Sequence, residues 1–189
     1  MTDYIFLIGP GGTGKSTVGK ILAPLIGYIT IDLDSEFCHR IANIREYIKS
    51  HGYESYLEQN AALFNRLLIE QAGHKTLFIL SSGFLSTDIR QVIVLNNQRI
   101  VRESGFSVLI MPSKNYDEAL ECIVARQINR GLSLVREKEV TKFSQRFDDY
   151  MSMGNLKVFS MEKAECIAIK IVNELTSRAV CEHSREQNK

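Results

Sequence analysis

The chain has 189 residues, of which 23 are Lys or Arg and 22 are Asp or Glu, for a net charge of +1. That length suits one domain, or one domain with a small insertion, and lets about 70 % of the unfolded chain's surface be buried. The even charge argues against a general nucleic-acid or anionic-membrane surface, and no apolar run approaches the roughly 18 residues that cross a bilayer.

Asp3 stands where a secretory signal would carry basic residues, so no signal peptide is expected. Cys38, Cys122, Cys166 and Cys181 lie far apart without a C-x-x-C pair, which signals neither a zinc site nor a disulfide framework. Reduced thiols and a cytoplasmic location are the expectation. The histidines have no metal-ligand spacing. Neither nucleic acid nor membrane is an expected partner, and a monomer, or at most a weak dimer, is expected.

The apolar run Tyr4-Ile5-Phe6-Leu7-Ile8 reads as a strand, Gly9-Pro10-Gly11-Gly12-Thr13-Gly14-Lys15-Ser16-Thr17 follows it, and an amphipathic stretch runs from Val18 to Ile26. Gly9-x-x-x-x-Gly14-Lys15-Ser16 is a complete phosphate-binding loop (Walker A) between a strand and a helix. Glycines let backbone N–H groups turn inward onto phosphate oxygens, and the new helix adds its positive end. Gly11, Gly12, Thr13, Gly14, Lys15, Ser16 and Thr17 are therefore expected to bind a nucleoside triphosphate. Lys15 should reach the β- and γ-phosphates, and the Ser16 hydroxyl should ligate Mg²⁺. The bland alternative is a glycine-rich turn joining strand to helix.

Further strands are expected at residues 28–31, 77–80, 106–110 and 156–159, mostly apolar without a polar alternate, as in parallel strands covered on both faces. Helical stripes lie between and after them, at Tyr53, Tyr56, Leu57, Phe64, Leu67 and Leu68, at Tyr116, Ala119, Leu120, Ile123 and Val124, and from Ala164 to Leu175. This alternation predicts an α/β fold, a parallel sheet with helices on both faces. One domain is expected over 1–176. Residues 32–75, with at least two helices and no strand, would be an insertion covering the acceptor. Residues 129–140 read as a basic lid, or as a solvated loop with a helix start, with Gly131 breaking the helix before it. The polar tail 177–189 is expected to fray.

The second strand leads into Asp32-Leu33-Asp34. On an extended segment both carboxylates point the same way, toward the crevice of the phosphate loop. One could hold the Mg²⁺ shell while the other meets a substrate hydroxyl. Asp34 could also cap the following helix.

The loop through Val18-Gly19-Lys20-x-Leu22-Ala23, together with Ile31-Asp32-x-Asp34, resembles the shikimate kinase family of small P-loop kinases. The likeness continues at Ile44-Arg45-Glu46-Tyr47-Ile48 and at Arg146-x-x-x-Tyr150. The resemblance implies a five-stranded parallel sheet of order 2-3-1-4-5, a helical substrate-binding insertion, a mobile lid, and MgATP-dependent phosphorylation of a ring hydroxyl. It implies that Lys15 stabilises transferring charge, that Ser16 and Asp32 hold Mg²⁺, and that Asp34 meets the acceptor hydroxyl. Arg146 would pair with a substrate carboxylate beside Gly83, and Arg126 would lie near the adenine.

The chain departs from the family's pattern in several places. The family's G-E-x-x-F-R-x-x-E reads here Gly52-Tyr53-Glu54-Ser55-Tyr56-Leu57-Glu58-Gln59-Asn60, so Leu57 replaces a second carboxylate-binding arginine. Arg66, Arg45 or Lys49 would have to supply the missing charge. The glycine triplet is Ser82-Gly83-Phe84, with Ser81 standing for a threonine, and Phe84 is expected to alter the pocket floor. The lid motif is missing, which leaves Arg130 or Arg136 as its arginine, with Arg130 preferred as the catalytic one. The expected activity is transfer of the γ-phosphoryl group of ATP, with Mg²⁺, to a hydroxyl of a small polar metabolite, shikimate first. The alternatives are another polyol or sugar acid, or an inactive nucleotide-binding regulatory protein.

Overall fold

The computed structural model of the chain describes residues 2–130 and 134–186. In chain order it contains β1 (Tyr4–Ile8), α1 (Lys15–Ile26), β2 (Ile29–Asp32), α2 (Leu33–Arg40), α3 (Ile44–Glu70), β3 (Thr76–Ile79), α4 (Gln91–Ser104), β4 (Phe106–Met111), α5 (Tyr116–Ile128), α6 (Arg136–Ser152), β5 (Leu156–Phe159) and α7 (Ala164–Glu186). The five strands are parallel and lie in the order 2-3-1-4-5, as expected. Their bounds match the sequence reading or differ from it by one residue.

Alternation on the strands divides the core. Phe6 and Ile8 of β1 pack with α2, α3, Phe78 and Phe143 on one face, while Ile5 and Leu7 pack with α1 and α7 on the other. Both faces are covered, which is why β1 and β3 read as continuous apolar runs. The first face is rich in rings: Phe6 meets Phe64 and Phe78, and Phe64 meets Phe84 edge-on at 4.9 Å.

The ends of the helices place the chemistry. α1 starts after Gly14, which adopts φ 87°, and no side chain caps it. Its first N–H groups are left for a ligand. α2 is capped by Asp32, whose side chain accepts from the N–H groups of Asp34 and Ser35. Asn43 caps α3 in the same manner, and Gly52, at φ 84° and ψ 163°, kinks that helix. Of the expected lid, Gly131, Leu132 and Ser133 lie outside the described residues, and Arg136 to Val140 begin α6. α7 continues to Glu186, past the point where the polar tail begins. Extending a helix whose earlier turns are packed adds one hydrogen bond per residue without a new nucleation cost. No described helix is long and apolar enough to cross a membrane.

Candidate active site

The site gathers at the carboxyl ends of β1, β2 and β3, where an open parallel sheet leaves a crevice. Lys15 folds back over its own loop, donating from Nζ to the carbonyls of Gly9 at 2.7 Å and Pro10 at 2.9 Å. Burial pulls its ammonium down to about 8 from 10.5, although Asp34 and Asp32 hold it up; Arg130 and Arg146 add to the lowering. Thr13 Oγ1 donates to the Pro10 carbonyl at 3.1 Å. A methyl group on Gly11 would overlap the Gln127 amide, and one on Gly12 would press on the Ile123 carbonyl. α5 therefore lies directly against the loop. Arg126 reaches the Gly12 carbonyl at 3.5 Å and the Met161 carbonyl at 3.3 Å.

Ser16 donates to Asp32 Oδ2 at 2.6 Å. A hydroxyl and a carboxylate this close, at the mouth of the loop, form the hard oxygen pair that suits Mg²⁺ completed by water and phosphate oxygens. The two acidic residues do not share an extended segment. Asp32 ends β2 and Asp34 sits in the first turn of α2, so Asp32, not Asp34, is the helix cap. Two residues, about half a helical turn, separate the two carboxylates: Asp32 faces Ser16, and Asp34 faces Ser81.

Asp34 lines a cavity of about 580 Å³ with Tyr53, Tyr56, Gly83, Arg130 and Arg146. Ser81 donates to Asp34 Oδ1 at 2.5 Å, and Tyr56 approaches the same oxygen at 3.5 Å. Burial pushes the Asp34 carboxyl up; the Ser81 hydrogen bond opposes that most, and Asp32 adds to it. Burial raises the Tyr56 and Tyr150 hydroxyls as well, so both remain neutral donors. From α6, Arg146 Nη1 and Tyr150 Oη both donate to the Ser82 carbonyl, at 3.3 and 2.8 Å.

The fold thus brings Asp34, Arg130, Arg146 and Gly83 to one cavity, with Lys15 and Ser16 on the adjoining loop and Asp32 beside it. Of the residues considered for the charge missing at position 57, all three are solvent-exposed, and Arg45 lines the cavity where Arg66 and Lys49 do not. Leu57 itself is 3 % exposed within the aromatic core. Phe84 corrects an expectation. It is 1 % exposed, packs on Phe64, and is absent from the cavity wall, because the turn closed by its N–H to the Ser81 carbonyl directs it into the core. Arg136 pairs with Glu121 at 2.8 Å. Gln127, Tyr53 and Asn60 were missed as site residues by sequence reasoning. Only helical spacing from Leu57 could have flagged the latter two.

The sequence matches the family model for shikimate kinase over residues 11–176. It is 27 % identical over 178 residues to a shikimate kinase of Persephonella marina, covering 92 % of this chain and 97 % of that one. The fold is similar to a shikimate kinase from Acinetobacter baumannii in complex with shikimate (TM-score 0.75, 22 % identity, 94 % of this chain and 95 % of that one). It is also similar to a gluconokinase from Sinorhizobium meliloti 1021 (TM-score 0.59, 18 % identity, 95 % and 96 %).

Proposed function

The chain belongs to the shikimate kinase family, which makes it an ATP-dependent phosphotransferase acting on an alcohol group, and from that premise we propose that shikimate is its acceptor. The observation that carries this reading is the cavity in which Asp34 and Arg146 face one another's space beside the phosphate loop.

In this reading the loop N–H groups and the start of α1 hold the phosphates, and Lys15 leaves its carbonyl partners to meet the β- and γ-phosphates. Ser16 and Asp32 would hold Mg²⁺, which when bound offsets charge on the phosphates. Asp34 accepts a hydrogen bond from the acceptor hydroxyl and takes its proton as the phosphoryl group transfers. Arg146 binds the acceptor carboxylate through its planar fork. Arg130 adds positive charge over the transferring group, and Arg126 borders the adenine. Arg45, opposite on α3, is the further cation for the carboxylate in place of the arginine lost at Leu57. A cytoplasmic location and a monomeric state accompany the reading.

ADP release from MgATP, measured with millimolar shikimate beside gluconate and a panel of polyols, tests it. Saturable turnover with shikimate is expected. Turnover with a different acceptor alone would reassign the specificity, and silence across the panel would overturn the proposal.

A further inference from the structure

Asn60 lies on α3 and is fully buried. Its Nδ2 donates to Ser81 Oγ at 3.1 Å and to Tyr56 Oη at 3.3 Å. Those two hydroxyls are the groups that reach Asp34 Oδ1, at 2.5 and 3.5 Å. An amide nitrogen has two hydrogens and can serve both hydroxyls at once. Each hydroxyl, having accepted from Asn60, keeps its own hydrogen for Asp34. The reversed amide would set Oδ1 against both hydroxyls and turn their hydrogens away from the carboxylate. In the observed arrangement Oδ1 is left without a partner among the described residues. A buried acceptor without a partner is costly and uncommon, so the two hydrogen bonds that Nδ2 donates carry the case for this orientation.

We propose that Asn60 is a positioning residue for phosphoryl transfer: through Ser81 and Tyr56 it fixes both donors on Oδ1 of Asp34 and so leaves Oδ2 for the acceptor hydroxyl. The inference rests on the reading that Asp34 meets that hydroxyl. It also links three departures from the family's pattern, which has phenylalanine at position 56, threonine at 81 and glutamate at 60. A carboxylate at position 60 could only accept, and would draw both hydroxyl hydrogens away from Asp34. An amide belongs with the added Tyr56 hydroxyl.

Two variants test the proposal. Asn60→Leu removes both donors, and Asn60→Asp keeps the shape while reversing the direction of both hydrogen bonds. In each, kcat with the acceptor that the wild-type chain phosphorylates should fall about tenfold to a hundredfold, as for a reacting group set off its line. KM for MgATP should stay within twofold. A purely structural Asn60 would lower thermal stability without that split. In a Ser81→Ala background the same changes should cost less kcat, because the shorter of the two routes is already cut. Should Asn60→Leu not fold, the isosteric Asn60→Asp carries the test. A folded variant with kcat within twofold of wild type, or full additivity with Ser81→Ala, overturns the positioning role. An inactive Asp34→Asn beside an unaffected Asn60→Asp sinks this inference alone, whereas a wild-type chain silent with every acceptor sinks the proposed function with it.

Discussion

Arg146 and Tyr150, one helical turn apart on α6, donate to the same acceptor, the carbonyl of Ser82, at 3.3 and 2.8 Å. α6 is thereby fastened to the segment after β3, and the Arg146 guanidinium is held at the cavity with donors to spare. Arg146→Ala should raise the acceptor KM about thirtyfold or more, as expected for loss of a charged partner worth 2–5 kcal/mol, with KM for MgATP unchanged. Tyr150→Phe keeps the guanidinium but drops one buried hydrogen bond. A stability loss of about 1 kcal/mol in urea unfolding and a smaller rise in acceptor KM are expected.

Lys15 carries the pH prediction. With its pKa pulled to about 8 in the nucleotide-free chain, roughly a quarter of molecules hold the proton at pH 8.5. Phosphate charge beside the ammonium raises the pKa again, so MgATP binding at pH 8.5 should take up protons, on the order of 0.7 per site. At pH 6.5, where Lys15 is already charged, uptake should be close to nil. Calorimetry in buffers of different ionisation enthalpy reads this directly. Lys15→Met should abolish both the uptake and turnover.

Asp34→Asn keeps the shape of the side chain and removes its basicity. We expect kcat to drop by about 10²- to 10⁴-fold, the usual worth of a general base, with MgATP binding intact. Equal losses in MgATP affinity and kcat would place Asp34 with the nucleotide instead.

Gly83 forms the floor of the cavity. A methyl group there would overlap the Tyr53 hydroxyl and touch the Arg146 guanidinium. Gly83→Ala should therefore raise the acceptor KM, and adding Tyr53→Phe, which removes the offending oxygen, should restore most of it. Steady-state kinetics of the four-member cycle distinguish this from a general folding defect.

Leu57 belongs to the core, so Leu57→Ala should cost about 2–4 kcal/mol of stability through lost burial and an unfilled cavity. Acceptor KM should shift little. A large KM change without destabilisation would place Leu57 in the binding surface.

Much of this was legible in the residues themselves. The phosphate loop carries its own conformational demands: Gly14 must reach φ 87°, and Lys15 and Ser16 follow at fixed offsets, so nine consecutive letters specify both shape and chemistry. Strand and helix alternation gave the parallel sheet, because buried parallel strands need unbroken apolar runs, and the resemblance gave its order. Tertiary structure alone decided the acceptor half. Whether Asp32 or Asp34 capped α2 depended on where β2 ended, and Phe84 turned inward because the turn at Ser81 directs it there and Phe64 offers it a ring to pack on. The path from Asn60 through Ser81 to Asp34 joins residues 21 and 47 positions apart. No local pattern encodes a contact of that span. It exists because α2, α3 and β3 meet at one end of the sheet, where packing brings polar groups into the reach of a single hydrogen bond.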